Sequence, residues 1–215
     1  MGNRAVITGT DKRTAIYLHW NGGRDSVEGF LEYARLKGVR SPKTDPPYAW
    51  ARLTQIIGNF LGGTLSLGVG LYDEMEADNG DNGVYIVGGD WRIVGRKFFD
   101  GKEQREYSLA DMLEAIDNAQ PEKERLGGDF LTAEVVPVSA LEIGDTVTFL
   151  DSIYQTVKTA RIIGRGGKCS INSFDVCGVP YMDCYGYGNA PEDNINNYLF
   201  RETVRRVRKG ADTPS

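Results

Sequence analysis

Apolar runs and alternations mark the first elements of the chain. Ala5-Val6-Ile7-Thr8 and Ala15-Ile16-Tyr17-Leu18-His19-Trp20 are strand-like. Gly9-Thr10-Asp11-Lys12 between them supplies turn residues, so the pattern predicts an opening β-hairpin. Val27, Phe30, Leu31 and Ala34 then recur at helical spacing, predicting a helix over about 26–37 that stops at Gly38. Asp25 and Glu28 have the spacing of a capping box at its start. A proline-bearing loop covers 38–47. The stripe Leu53, Ile56, Ile57, Phe60, Leu61 predicts a second helix over about 48–61, ended by Gly62-Gly63. Leu65, Leu67 and Val69 alternate with small or polar residues, as in a half-buried strand. Val84–Val87 and Trp91–Val94 read as a second hairpin around Gly88-Gly89-Asp90. Ser108-Leu109-Ala110-Asp111 opens a third helix that runs to about 119, with Met112, Leu113 and Ile116 inward.

The pattern changes after residue 120. From 133 onward it consists of short β-type runs: 133–138, 146–150, 159–163, 174–179 and a basic segment near 198–208 for which strand and helix both stay open. Short strands with glycine turns argue for an SH3-like or related barrel. The expected architecture is α+β: an antiparallel sheet with three helices over 1–126, a linker over 127–132, and a small all-β, barrel-like domain over 133–215.

Composition narrows the class. Hydrophobic residues make up 40% and charged residues 26% of 215, as in an ordinary globular protein rather than a disordered one. No apolar run approaches the roughly 20 residues that span a bilayer. With no secretory signal core at Met1-Gly2-Asn3-Arg4, a cytoplasmic location is expected. The net charge is −5, and both parts are mildly acidic: 16 basic against 20 acidic residues up to position 130, then 9 against 10. That balance argues against direct nucleic-acid binding over the whole surface, leaving only the basic C-terminal segment for it. Cys169, Cys177 and Cys184 lack C-x-x-C spacing and His19 is the only histidine, so no metal or cofactor site is expected.

Candidate chemistry concentrates at the turn after the second strand. His19, Trp20, Asn21, Gly22, Gly23 and Arg24 share it with Asp25. A strand-to-helix turn exposes backbone N–H groups to anions, Arg24 offers a planar fork and Trp20 a stacking face. These residues are therefore candidates for a phosphorylated ligand such as a signalling nucleotide. The structural alternative is a glycine turn with a capping aspartate. His19 has no serine or cysteine partner legible in the sequence, so catalysis through it is the weaker reading and no catalytic residue is assigned. Three further surfaces suit a protein partner. Asp73, Glu74, Glu76, Asp78 and Asp81 form an acidic run, in which Asp78-Asn79-Gly80-Asp81 fails the EF-hand pattern. Tyr181, Tyr185 and Tyr187 lie among glycine and asparagine, a recognition-loop palette. Arg201, Arg205 and Arg208 would share a helical face.

The string Ile16-Tyr17-Leu18-His19-Trp20-Asn21-Gly22-Gly23-Arg24-Asp25-Ser26-Val27, with Asp78-Asn79-Gly80-Asp81-Asn82-Gly83-Val84-Tyr85, resembles a group of uncharacterised proteins of phages and conjugative elements of Gram-positive bacteria. The turn also loosely resembles a Tyr-x-His-Trp-Asp-Gly-Tyr-Pro string of other uncharacterised bacterial and phage proteins, with Asn21 in place of the aspartate and no proline following. The resemblance implies a mobile-element origin and no particular activity. Small acidic proteins of such elements often counter host defence. The expectation is a non-enzymatic binder that inhibits a host nuclease or defence complex, of anti-CRISPR or antirestriction type, by protein contact. The alternatives are a nucleotide sponge and a His19-dependent hydrolase.

Overall fold

The computed structural model describes residues 2–63, 66–75, 81–97, 102–150, 156–165, 173–177, 196–199 and 203–207. The chain divides into two compact units, Met1–Arg125 and Leu126–Ser215. In the first, β1 (Ala5–Gly9) and β2 (Thr14–Leu18) form the expected hairpin, followed by α1 (Arg24–Leu36) and α2 (Pro46–Phe60). Then come β3 (Leu67–Leu71), β4 (Val84–Val87), β5 (Ile93–Lys97) and α3 (Leu109–Ala119). The sheet order is β3-β2-β1-β4-β5. All its pairings are antiparallel except β1–β4, which is parallel, so the sheet is mixed rather than purely antiparallel. Two helices and β3 intervene between β2 and β4, which lets β4 return beside β1 in the same direction.

The helices form for local reasons and pack for shared ones. Pro46 and Pro47 occupy the first turn of α2, where a missing N–H costs nothing. The Ser108 side chain accepts from the Asp111 N–H at 3.1 Å and starts α3. Gly38, at φ 65°, follows α1 in the left-handed conformation. Val27, Phe30, Leu31 and Ala34 of α1 are buried with Leu53, Ile56 and Ile57 of α2. Phe30 meets Phe60 edge to face with ring centroids 5.2 Å apart. At Gly29 an added Cβ would lie 2.9 Å from Met112 Cβ, so α1 and α3 approach at a glycine. The helices lie on the sheet face of Leu67, beside which α2 passes at Gly58. Ile7, Ile16 and Leu18 share that face by alternation and are buried. The opposite face carries a smaller cluster, Val6, Ala15 and Val84, with Tyr17, Tyr72 and Met75 packed against it.

The second unit contains α4 (Gly128–Thr132), β6 (Glu134–Pro137), β7 (Thr146–Leu150), β8 (Val157–Arg165), β9 (Ser173–Cys177), β10 (Asn196–Leu199) and β11 (Thr203–Arg206). Their sheet has the order β10-β9-β8-β7-β11-β6. The described strands form an open sheet rather than the closed barrel that their lengths suggested. Residues 127–132 are more than a linker: α4 buries Phe130, and the Arg205 guanidinium sits 4.6 Å from that ring. The core is small and aliphatic, with Val136, Val138, Leu141, Val147, Ala160, Ile162 and Val204. The basic segment resolves as strand β11 over 203–206. Among the described residues no helix is long and apolar enough to cross a membrane.

Candidate functional site

The turn between β2 and α1 is made by backbone and filled by the chain itself. Asn21 takes φ 57°, the left-handed region that asparagine tolerates better than most residues. Gly22 donates its N–H to the Asn3 carbonyl at 2.8 Å. A Cβ at Gly22 would lie 2.6 Å from the Ala5 nitrogen, so only glycine fits. At Gly23 an added Cβ would come within 2.8 Å of the Gln104 carbonyl oxygen.

Segment 103–107 crosses the N-terminus of α1. The Arg24 N–H donates to the Gln104 carbonyl at 3.0 Å. Asp25 does not form a capping box with Glu28. Its Oδ1 accepts from the Ser26 N–H at 2.7 Å, and its Oδ2 accepts from the N–H groups of Glu106 and Tyr107. The N–H groups of Arg24 and Ser26, two of those expected to meet an anion, are thus taken within the chain.

Arg24 is likewise engaged. Its Nε lies 2.6 Å from Glu28 Oε1 and its Nη1 lies 3.0 Å from Glu103 Oε1. The bond to Glu28 is the largest influence holding this guanidinium above its ordinary pKa. Glu103 also receives Arg96 Nη1 at 2.9 Å. Beneath this cluster Asn82 is fully buried. Its amide donates to Asn3 Oδ1 at 3.0 Å and Gln104 Oε1 at 2.8 Å, its Oδ1 accepts from the Gln104 N–H at 3.2 Å, and its carbonyl accepts from Arg96 Nε at 3.0 Å. Sequence reasoning missed Glu103 and Gln104, and held Asn82 only as one position of the string that carries the resemblance. They lie in polar, irregular segments with no periodicity to flag them.

His19 and Trp20 stand apart from this network and are exposed, Trp20 at 49%. The Tyr17 hydroxyl and His19 Nδ1 are 3.1 Å apart, and the His19 and Trp20 rings meet at 5.0 Å in an edge-on arrangement. Tyr17, His19 and Trp20 thus form an aromatic ridge where β2 ends, and Tyr17 roots it in the small cluster that Tyr72 also covers. Asp73 and Glu74 follow Tyr72 in a single 3-10 turn, and both are exposed.

The other candidates distribute differently. Asp81 is paired within the chain: its Oδ2 accepts from Arg4 Nε at 2.6 Å and from the Arg4 N–H at 3.0 Å, and the Arg4 side chain is the main cause holding this carboxyl below its ordinary pKa. Arg205 lies on β11, where its Nη1 donates to the Phe130 carbonyl at 3.1 Å. Glu76, Asp78, Tyr181, Tyr185, Tyr187, Arg201 and Arg208 lie outside the described residues. Among the described residues no three His, Cys, Asp or Glu side chains converge as metal ligands would. No protein-family model, no curated protein and no solved structure matches the chain.

Proposed function

We propose that this protein acts by binding another protein, as an inhibitor of a host defence complex in the bacterial cytoplasm. The observation that carries the reading is the ridge where β2 ends, in which exposed His19 and Trp20 stand beside half-buried Tyr17. The acidic turn Asp73–Glu74 follows Tyr72, which packs on the same cluster as Tyr17. The indole stands at the His19–Ser66 end of the β2–β3 pair and the carboxylates follow Tyr72 at its Arg13 end. An indole stacks on arginine and lysine and carboxylates pair with them, so both suit a basic protein surface. Defence nucleases expose such surfaces where they hold nucleic acid. The mobile-element resemblance supplies the defence context by association.

A small-ligand sponge has less support in this geometry. Arg24 would have to leave Glu28 and Glu103, and segment 103–107 would have to lift from α1.

The test is phage plaquing on a Gram-positive host with an active CRISPR or restriction system, with and without the protein. The expected result is restored plaquing that falls at least tenfold with Trp20→Ala and with Asp73→Lys/Glu74→Lys, and falls less with His19→Gln, which keeps a polar side chain in the ridge. Loss with His19→Gln alone would favour a reaction at the imidazole. Unchanged plaquing with the wild-type chain in both defence systems would overturn the inhibitor reading.

A further inference from the structure

The first sheet has two edges, and they are built differently. The β5 edge is protected as sheet edges usually are: its register shifts opposite Ile86 and Val87, and it carries Arg96 and Lys97. The β3 edge has none of these devices. Leu67-Gly68-Val69-Gly70-Leu71 holds no charge and no proline, and it pairs with β2 without a bulge. Val69 is 52% and Leu71 58% exposed.

The hydrogen-bond phase shows which backbone groups face outward. The His19 N–H donates to the Ser66 carbonyl at 2.9 Å and the Tyr72 N–H to the Arg13 carbonyl at 2.8 Å. In an antiparallel ladder, residues 66, 68, 70 and 72 therefore turn their backbone groups towards β2, and Leu67, Val69 and Leu71 turn theirs away. Among the described residues no strand pairs with that side.

The strand is also a palindrome. Antiparallel pairing of two copies about Val69 sets Val69 against Val69, Leu67 against Leu71 and Gly68 against Gly70. In that register every outward residue falls on a hydrogen-bonded position, which gives on the order of six backbone bonds. A slip of one residue would set outward groups against inward ones. A slip of two that moves the axis to residue 70 would set Leu67 against Asp73.

We propose that β3 is the contact of a two-fold dimer, in which a second copy of this chain extends the sheet across the β3 edge. The contact is isologous, as two-fold symmetry requires. On the helix side it forms the apolar cross-strand pairs Leu67–Leu71 and Val69–Val69. Charge placement agrees. The exposed Asp73 and Glu74 of the two copies fall at opposite ends of the joint, on the order of 25 Å apart at about 3.4 Å per residue. That exceeds the screening length of about 8 Å at physiological salt. On the other face the joint sets Gly68 against Gly70, neither of which carries a side chain, and the Met75 methyl lies over Gly70.

The experiment is sedimentation equilibrium of the full chain from low micromolar to several hundred micromolar. The wild type is expected to dimerise. Val69→Lys, which sets two ammonium groups against each other at the symmetry axis, is expected to weaken association at least tenfold. Val94→Lys, on the β5 edge, is expected to leave it unchanged. Val69→Cys supplies an arm that does not depend on tolerance of lysine. Partners in a hydrogen-bonded antiparallel pair have Cα atoms about 5.5 Å apart, within disulfide range. Mild oxidation should therefore link two copies through residue 69, as peptide mapping would show. A wild-type chain monomeric throughout, a Val69→Lys protein that dimerises as well as the wild type, or failure of the residue 69 cross-link would overturn the proposal.

Discussion

Tyr85 shows how one buried atom sets a pH response. It lies on β4 with no exposed surface, and among the described residues its hydroxyl has no hydrogen-bond partner. Arg96 stands 5.7 Å from the ring centroid and favours ionisation, yet burial outweighs it and pushes the phenol up to about 12 from 10.0. The folded state therefore holds the proton more tightly than the unfolded chain does. This contribution is fully present below pH 10 and is lost as pH rises from 10 to about 12. Two pKa units correspond to about 2–3 kcal/mol. Urea unfolding at stepped alkaline pH should show that loss in the wild type and a shallower slope in Tyr85→Phe. At pH 7 the same variant should be at least as stable as the wild type, because it removes a polar atom that costs about 1–3 kcal/mol to bury unpaired. Asp25 is the opposite case. Its carboxylate satisfies three backbone N–H groups, two of them on segment 103–107. Asp25→Ala should lower stability by about 2–4 kcal/mol in denaturant titration. The sequence marks Asp25 as a helix-start residue, but not its partners, since Glu106 and Tyr107 lie about eighty positions away and nothing local points to them.

At the scale of elements, periodicity carried the reading further than spacing motifs did. Helix positions and the first hairpin follow from apolar recurrence, because burial on a single face is what selects those residues. The capping box did not form. Gly23 became the N-cap, and Glu28 turned to Arg24. A motif of two polar residues has several partners available, and tertiary contacts choose among them. Alternation in β3 was legible, but it says only which side chains share a face. It does not say that a helix covers that face, and Val69 and Leu71 are left open. The glycine turn behaves more predictably. A Cβ at Gly22 would meet the backbone at Arg4 and Ala5, neither of which can move without disturbing β1. Gly22→Ala should cost about 1–3 kcal/mol. Gly63→Ala, where no atom lies within 4 Å, should cost only the smaller strain of φ 70°. Thermal melts of the two variants side by side would show whether close packing or backbone conformation dominates. A loss at Gly22→Ala no larger than at Gly63→Ala would mean that the backbone around Gly22 gives way to the added methyl.

At the scale of the molecule, the two units differ in what stabilises them. The first packs three helices on a five-stranded sheet and buries Phe30, Tyr33, Tyr85, Trp50 and Trp91. The second closes over small aliphatic side chains with Phe130 at their side. Smaller units bury a smaller fraction of their surface and are correspondingly marginal, so the second unit should unfold at lower denaturant than the first. The sequence provides the means to see this, since all three tryptophans, Trp20, Trp50 and Trp91, belong to the first unit. Tryptophan fluorescence follows that unit alone, while far-ultraviolet circular dichroism follows both. In urea the dichroism change should begin before the fluorescence change. Phe130→Ala, which empties the contact with Arg205, should move only the early part of the dichroism curve, by about 3 kcal/mol. Asp25→Ala should move the fluorescence midpoint and leave the early dichroism change in place. Coincident curves for the wild type, shifted together by both variants, would mean that the chain unfolds as one cooperative body despite its two sheets.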